Sequence, residues 1–258
     1  VGKFSLKFRA FPMIPVFYVY WPGDEEIESD LQILQSELYA DLQRMFALKR
    51  GLVFFNRFDN MLAVSNGISV EEHEVILRSV ARRYPVSVSM GIGSAESPYE
   101  AQVLATRVLQ ERGSAQSETR RSVLAHLSNG NSGEEYVQIA HIDINGFTHS
   151  VTDRESAYQS SYVIYSATAI LMRMFADKGA LLFFNGGDNF IAVCNGLEKS
   201  DFVEIFDRFE TSMNLRLKAG IGSGRNALDA LSRANECLSL IREKKTDEQI
   251  ILNEEEML

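Results

Sequence analysis

The sequence predicts an α+β protein with two tandem domains of similar structure, each a mainly antiparallel sheet with helices packed on it. The first observation behind this prediction is an internal repeat, because Leu52 to Gly67 matches Leu181 to Gly196 at a constant offset of 129 residues. The second is that strand and helix patterns follow one order in both halves: strand, helix, hairpin, helix, strand, helix. Two copies are too few for a solenoid, so we expect two domains packed as a pseudo-symmetric pair, residues 1–130 and residues 131–258.

Composition and charge limit the classes of partner. The chain has 258 residues, of which 45% are hydrophobic and 24% are charged, the balance of a globular protein with ample material for a core. The formal net charge is −9, and no cluster of lysine or arginine follows the pattern of a nucleic-acid binding surface, so we expect no nucleic-acid partner. The two cysteines and four histidines lack the spacing of a zinc site, and buried free thiols in a reducing cytoplasm are the simplest account of the cysteines.

The first 23 residues are the least regular part of the chain. Basic residues precede the apolar run Phe11 to Trp21, as in a signal peptide, but Pro12 and Pro15 interrupt that run and no small-residue cleavage site follows. The run is too short to span a bilayer, so we expect no membrane partner and a first strand instead. Both faces of that strand are apolar and nothing in the sequence supplies a second cover. We therefore expect a strand that fits the sheet poorly, with its prolines kept out of a central position.

The remaining elements follow from apolar periodicity. From Glu25 to Lys49 apolar residues recur every three or four positions, which predicts an amphipathic helix. A second helix is predicted from His73 to Arg83, with His73 on its surface. The other predicted elements are strand Val86 to Ile92, helix Ser97 to Gln110 with Pro98 in its first turn, strand Val137 to Ile144, helix Glu155 to Ala176, helix Asp201 to Phe209, strand Arg216 to Ile221 and helix Ala227 to Glu243.

The hairpin of the second half carries the most informative turn. Leu181 to Phe184 and Phe190 to Cys194 are short apolar runs bounded by Asn and Gly, which predicts two strands with Asp188 at the tip between them. Gly186 and Gly187 can take positive φ and let a bulky anion approach the main chain. A carboxylate at such a turn suggests a metal and a phosphate, although a hairpin with a solvated Asp is the ordinary alternative.

Asp143 strengthens the metal hypothesis because it lies inside an apolar strand. An ionised Asp in a buried strand is costly unless a cation or hydrogen bonds compensate it. Two strands that each carry one Asp, at Asp143 and Asp188, can lie side by side and hold Mg²⁺ together with substrate phosphate oxygens. An anionic small ligand is compatible with the acidic chain if bound cations reverse the sign inside the site.

The first half lacks this pair. The 129-residue offset aligns Ile14 with Asp143, and Asp59 and Asn60 stand in a turn that has Arg57 and Phe58 in place of the two glycines. The first half is thus a degenerate scaffold, or the first residues do not reproduce the ancestral segment. Asp59 and Asn60 remain candidates for a second site.

Two further segments can contact phosphate. The loop after the Asp143 strand has amides that can meet phosphate oxygens, although its residues are equally those of an ordinary loop and helix cap; the candidates are Asn145, Gly146, Phe147 and Thr148. Lys218, in an apolar strand, and Arg225, in a glycine-rich turn, can neutralise phosphate, or Lys218 can be an edge residue facing water. The Gly-x-Gly-x-Gly turn itself is a weak nucleotide signature.

The order of Asp143 strand, long helix and Gly-Gly-Asp hairpin resembles the palm-type fold of nucleotidyl and diguanylate cyclases, although Asn189 follows Asp188 where diguanylate cyclases have Glu. A closer resemblance, from about Glu28 onward, is to the archaeal GTP cyclohydrolase III family. The segments that carry it are Glu28 to Gln32, Gly51 to Phe55, Arg57 to Asn60, Tyr136 to Asn145, Gly186 to Phe190 and Leu217 to Gly222.

This resemblance implies tandem palm-like domains and a Mg²⁺-dependent enzyme that opens the imidazole ring of GTP. The implied products are 2-amino-5-formylamino-6-(5-phosphoribosylamino)pyrimidin-4(3H)-one and inorganic phosphate. Asp143, Asp188 and the Ile144 carbonyl are the implied metal ligands, and Gly186, Gly187 and Asn189 lie at the nucleotide. We further expect a homo-oligomer, and a monovalent cation is considered as a second cofactor.

Two alternatives stay open from the sequence. A nucleotidyl or diguanylate cyclase shares the turn and would release pyrophosphate with a cyclic product. A GTP-sensing module without turnover would account for the incomplete first half. The first 23 residues depart from the family pattern, in which a first-strand aspartate precedes an Asn-Tyr-Gly-Pro-Trp-like stretch.

Overall fold

The computed structural model describes residues 12–20, 28–57, 59–115, 117–129 and 136–253. Each half contains the order strand, helix, two strands, helix, strand, followed by a further helix and a short last strand. The first half has β1 Met13–Tyr20, α1 Glu28–Ala47, β2 Leu52–Arg57, β3 Asn60–Val64, α2 Val70–Arg83, β4 Ser87–Ser94, α3 Pro98–Gln110 and β5 Leu124–Ser128. The second half has β6 Val137–Ile144, α4 Ala157–Asp177, β7 Leu181–Gly186, β8 Asn189–Val193, α5 Lys199–Met213, β9 Leu217–Gly224, α6 Ala227–Arg242 and β10 Ile250–Asn253.

The strands form two five-stranded sheets of the same topology. The first sheet has the order β2-β3-β1-β4-β5 and the second, read from its other edge, has the equivalent order β7-β8-β6-β9-β10. All pairs are antiparallel except β4 with β5 and β9 with β10. This confirms the predicted α+β class and the two tandem units of one sheet topology. The predicted boundary after residue 130 falls among residues that the structure does not describe and stays a prediction.

Three apolar cores hold the elements together. One lies beneath α1 and α2 on the outer face of the first sheet, and one lies beneath α4 and α5 on the outer face of the second. The third joins the inner faces of both sheets with α3 and α6. The repeated Gly-Ile-Gly-Ser motif serves this inner packing, because a Cβ on Gly220 would lie 2.1 Å from the Ala234 carbonyl oxygen of α6. These glycines therefore allow a close approach of helix and strand, which accounts for the motif without a phosphate.

The first strand corrects the expectation of a poor fit. β1 is the central strand of its sheet and is paired with β3 and with β4. Ile14 and Val16 face the inner core shared with the second sheet, whereas Phe17 and Val19 face α1 and α2. The second cover that the sequence did not reveal is thus the other half of the chain. Pro15 is tolerated because the ladder to β3 begins one residue later, at Val16.

Residues 1–11 and 21–27, which complete the segment discussed from the sequence, lie outside the described residues. Within the part of the chain that the structure describes, no helix combines the length and apolar character needed to cross a bilayer.

His73 also differs from its prediction. Its side chain is fully buried on the inner face of α2, with Ile76, Leu77 and Val80. The surface position predicted for His73 is wrong because the apolar stripe of α2 includes it. The predicted start of α3 is confirmed, since Ser97 caps the helix and Pro98 occupies its first turn.

Candidate functional site

Asp143 lies on the central strand of the second sheet. In the ladder it stands opposite Asn189 of β8 on one side and Lys218 of β9 on the other. Its neighbours Ile142 and Ile144 point into the outer core, so the alternation of the strand turns Asp143 to the face covered by α6. Asp143 is only 6% exposed. A buried carboxylate therefore stands where three strands and a helix meet.

The β7–β8 turn brings Asp188 to the same place. The Ile144 amide donates a hydrogen bond to the Asp188 carbonyl oxygen at 3.2 Å, which ties the turn to the end of β6. Gly186 and Gly187 have φ of +99° and +60°, so the predicted positive φ is confirmed at both. The space beside Gly186 is open, with no heavy atom within 4 Å of a Cβ built there. The turn thus presents exposed main chain next to two carboxylates.

The two carboxylates affect one another electrostatically. Burial raises the pKa of Asp188, and the negative charge of Asp143 raises it further. Asp143 is itself compensated, because the Lys218 ammonium lies 3.4 Å from its Oδ1. Each added negative charge in this site is unfavourable unless a cation accompanies it.

Arg242, the last residue of α6, is a site residue that the sequence did not reveal. Its Nε donates to Asp143 Oδ2 at 2.9 Å and its Nη2 donates to the same oxygen. The Nη2 group also donates to Asn189 Oδ1 at 2.6 Å. Basic residues are common in the last turn of helices because they favour the helix dipole, so nothing in the local sequence distinguished Arg242. Its role depends on α6 crossing β6.

Asn189 links the two carboxylates. The side-chain nitrogen Nδ2 of Asn189 donates to Asp188 Oδ1 at 3.0 Å. Its side-chain oxygen Oδ1 accepts from Arg242 and also forms a hydrogen bond with His141 Nε2 at 3.0 Å. The other ring nitrogen of His141 lies 2.6 Å from Asn235 Oδ1 on α6. The amide orientation of Asn189 is therefore held from two sides, and His141 is a second residue that the sequence search missed.

A cavity of about 410 Å³ opens beside Asp188. It lies between the loop after β6, the first turns of α4 and the β7–β8 hairpin. The Ser160 hydroxyl oxygen at this cavity is buried and has no hydrogen-bond partner among the described residues. The lining combines aromatic side chains with side chains that carry hydroxyl groups. It consists of Phe147, Thr148, Thr152, Ser160, Ser161, Ile164, Tyr165, Phe184, Gly187 and Asp188.

The loop candidates divide between lining and support. Phe147 and Thr148 line the cavity. Gly146 has φ of +68°, which turns the chain at the end of β6. The Asn145 amide donates to the Arg216 carbonyl oxygen at 2.7 Å, so it anchors the loop to the start of β9 and is not free to meet a phosphate.

Arg225 is not brought to the site, contrary to the sequence prediction. β9 runs antiparallel to β6, so that Lys218 is opposite Asp143 whereas Gly224 is opposite Val137. Arg225 follows Gly224, and seven residues of extended strand place it roughly 23 Å from Lys218. The cation that accompanies Lys218 is Arg242 instead.

The first half presents different chemistry at the equivalent place. Tyr18 stands opposite Asn60 and Ser89, as Asp143 stands opposite Asn189 and Lys218, so Tyr18 and not Ile14 is the counterpart of Asp143. The constant offset fails there because nine residues lie between Tyr18 and the start of α1, whereas thirteen lie between Asp143 and the start of α4. The Arg120 guanidinium lies over the Tyr18 ring, 4.4 Å from its centroid.

The second-site candidates have local partners. Arg57 Nη2 donates to Asp59 Oδ2 at 3.0 Å, and Asn60 Oδ1 accepts from Asn56 Nδ2 at 3.2 Å. Phe58 lies outside the described residues. Asp59 therefore has a cation beside it and no carboxylate at the Tyr18 position with which to share a metal.

Comparison with known proteins identifies one family. A family model described as GTP cyclohydrolase III matches residues 20–255. The chain is 53% identical over 215 residues to the GTP cyclohydrolase III of Methanothermobacter thermautotrophicus, covering 83% of this chain and 86% of that protein. It is 51% identical over 223 residues to the GTP cyclohydrolase III of Methanocaldococcus jannaschii, covering 86% and 83%.

Two solved structures resemble the fold of this chain at low sequence identity. The active GGEEF domain of a diguanylate cyclase from Vibrio cholerae gives a TM-score of 0.36 at 13% identity, with 48% of this chain and 85% of that chain covered. The GGDEF domain of DgcB from Caulobacter crescentus, in complex with c-di-GMP, gives 0.37 at 15% identity, with 47% and 79% covered.

Proposed function

The chain belongs to the GTP cyclohydrolase III family, and from that premise we propose that it hydrolyses GTP at the site built around Asp143 and Asp188. The reaction opens the guanine imidazole ring and gives 2-amino-5-formylamino-6-(5-phosphoribosylamino)pyrimidin-4(3H)-one and inorganic phosphate. The observation that carries the proposal is the family match over residues 20–255, which includes both carboxylates and the cavity beside them.

The donor set fits a hard divalent cation. The Asp143 and Asp188 carboxylates interact electrostatically, and the Ile144 carbonyl belongs to the residue whose amide binds the Asp188 carbonyl oxygen. Oxygen-only ligands of this kind suit Mg²⁺, which we propose as the cofactor. When bound, such an ion polarises phosphate oxygens and lowers the pKa of water. The monovalent cation stays a prediction without an assigned donor set.

The cavity has the chemistry of a nucleoside pocket. Phe147, Tyr165 and Phe184 offer aromatic surface for a purine, and hydroxyl groups can bind its polar edge. The lining residues that carry hydroxyl groups include Thr148 and Thr152 from the loop after β6 and Ser160 and Ser161 from α4. We propose that this pocket receives the guanine and ribose of GTP.

The triphosphate then extends over the β7–β8 turn. Gly186 and Gly187 leave room for phosphate oxygens to approach the main chain. Lys218 and Arg242 supply positive charge on the inner side of the carboxylates. Because two aspartates and a triphosphate meet here, these two side chains together with the metal offset the negative charge.

The test is product identification. The protein incubated with GTP and Mg²⁺ should yield the ring-opened formylaminopyrimidine monophosphate by mass spectrometry, with orthophosphate in solution. Recovery of intact GTP alone would refute the proposal. A cyclase would give pyrophosphate and a cyclic product, so a phosphate assay with and without pyrophosphatase separates the two reactions.

The same experiment contains its control. The Asp188→Asn protein should give no product under identical conditions, which excludes a contaminating GTPase.

The homo-oligomer, the absence of nucleic-acid and membrane partners and the cytoplasmic location stay predictions from the sequence.

A further inference from the structure

We infer that Arg242 couples metal binding to nucleotide binding: it holds Asp143 when no triphosphate is present and transfers to phosphate oxygens when GTP arrives. This inference rests on the proposed function, because it concerns the same carboxylates. It makes Arg242 a positioning residue through which each ligand strengthens the binding of the other.

Arg242 occupies a carboxylate oxygen of Asp143, the residue that we propose as a metal ligand. Two nitrogens of the guanidinium donate to Asp143 Oδ2, and Lys218 lies beside Oδ1. Asp143 is 6% exposed, so little water competes for its oxygens. A divalent cation must take one of those oxygens and must also enter next to two positive side chains. Metal binding without nucleotide is therefore disfavoured by lost hydrogen bonds and by charge repulsion.

A triphosphate changes this balance. Phosphate oxygens accept the two-nitrogen fork of an arginine as well as a carboxylate does. If Arg242 moves to phosphate, Asp143 is released to the metal, and the metal in turn binds phosphate. Each ligand then strengthens the binding of the other, and by thermodynamic necessity the two effects are equal.

The surroundings permit the transfer. The Arg242 side chain is 40% exposed and belongs to the last residue of α6, so it is not enclosed by packing. Asn189 does not lose its orientation when Arg242 leaves, because His141 also binds its Oδ1 and Asn235 holds His141 from behind. Asn189 therefore continues to donate to Asp188 in both arrangements.

The experiment measures Mn²⁺ binding by titration calorimetry, with and without guanosine 5′-(β,γ-imido)triphosphate. In the unsubstituted protein the nucleotide should tighten Mn²⁺ binding by about tenfold or more, a typical size for coupling between ligands. In Arg242→Gln, Mn²⁺ should bind about tenfold more tightly without nucleotide, and the nucleotide should tighten Mn²⁺ binding by a clearly smaller factor than in the unsubstituted protein, because only the direct contact between metal and phosphate remains. Arg225→Gln is the matched control, since this exposed arginine lies at the other end of β9, and it should behave like the unsubstituted protein.

Unchanged or weaker Mn²⁺ binding by folded Arg242→Gln in the absence of nucleotide would overturn the inference. If that variant fails to fold, as judged by circular dichroism, Arg242→Lys keeps the charge and removes the fork; it should show a smaller coupling, and an unaltered coupling would also overturn the inference. Asp143→Asn should abolish Mn²⁺ binding in every background. A failure of GTP turnover would leave these titrations readable, so the proposed function and this inference can fail separately.

Discussion

Phe54 and Phe183 stack face to face across the two halves, with ring centroids 4.3 Å apart and planes 5° from parallel. They are equivalent residues of the repeat, 129 positions apart. Two further contacts obey the same symmetry: Tyr99 N donates to the Gly179 carbonyl at 3.0 Å, and Leu228 N donates to the Arg50 carbonyl at 3.2 Å. The halves thus pack like the subunits of a two-fold dimer, each covering the inner sheet face of the other.

The stacked pair should contribute measurable coupling. Phe54→Ala and Phe183→Ala should each lower the free energy of unfolding by about 3–5 kcal/mol, because both rings are buried. The double variant should lose less than the sum, by roughly 1 kcal/mol, in urea denaturation. As a control cycle, Phe46→Ala with Phe183→Ala should be additive within about 0.5 kcal/mol, since these residues belong to different cores. Equal additivity in both cycles would contradict the prediction.

His73→Phe should stabilise the protein. The buried His73 ring lies 5.7 Å from Phe46, and its Nε2 has no partner among the described residues. In the second half Phe202 occupies the equivalent position, also 5.7 Å from Phe175. The Ser69 carbonyl still accepts the residue-73 amide when the imidazole is removed. We expect a gain of about 1 kcal/mol at pH 8, measured by urea denaturation.

The gain from His73→Phe should increase in acid. Burial lowers the pKa of His73, so the folded state favours the neutral ring and the unfolded state takes up the proton first. Stability from this group is present above the unfolded pKa of about 6.5 and is lost as pH falls toward the folded pKa, at up to about 1.4 kcal/mol per pH unit. The difference between the two proteins should therefore widen from pH 7 to pH 5. If the stability difference between the two proteins stayed constant from pH 7 to pH 5, the proton affinity of His73 would be the same in the folded and the unfolded state.

The carboxylate pair should act as a unit. Asp143→Asn and Asp188→Asn should each reduce phosphate release from GTP by more than about 100-fold, and the double variant should lose little more than either single variant. Asp59→Asn should be mild, because Asp59 contacts Arg57 and has no counterpart of Asp143 beside it. A loss at Asp59 equal to that at Asp188 would show that the first half forms a working site.

Substitution of Lys218 should weaken GTP binding, whereas substitution of Arg225 should not, although one residue lies in β9 and the other in the turn that follows it. Lys218→Gln should raise KM for GTP by roughly 10- to 100-fold, since a charged contact contributes about 1.5–3 kcal/mol. Arg225→Gln should leave kcat and KM within about twofold, because the residue lies roughly 23 Å along β9 from Lys218. Steady-state kinetics at fixed Mg²⁺ measures both, and the reverse ranking would contradict the register of β9.

Short-range patterns in the sequence determined much of the fold. Period-two apolar runs and the two glycines before Asp188 specified the strands and a turn with positive φ, because these features depend on residues a few positions apart. The repeat specified two units of one topology. The sequence also predicted that the buried Asp143 lies close to Asp188 in the turn, because the hairpin and the first strand of a unit are neighbours in that topology.

Long-range packing decided the rest. The cover over β1, the burial of His73 and the place of Arg242 depend on which helix or sheet lies against a given face, and that choice depends on the sum of many weak contacts between distant segments. Strand register decided two further placements. Arg225 lies far from the carboxylates because β9 runs antiparallel to β6. Tyr18 takes the place of Asp143 because the connection from Tyr18 to α1 is four residues shorter than the connection from Asp143 to α4. The sequence by itself determined the elements and the carboxylate pair, whereas only the tertiary structure decided which cations surround that pair, since charges are assembled from segments as far apart as β6 and the end of α6.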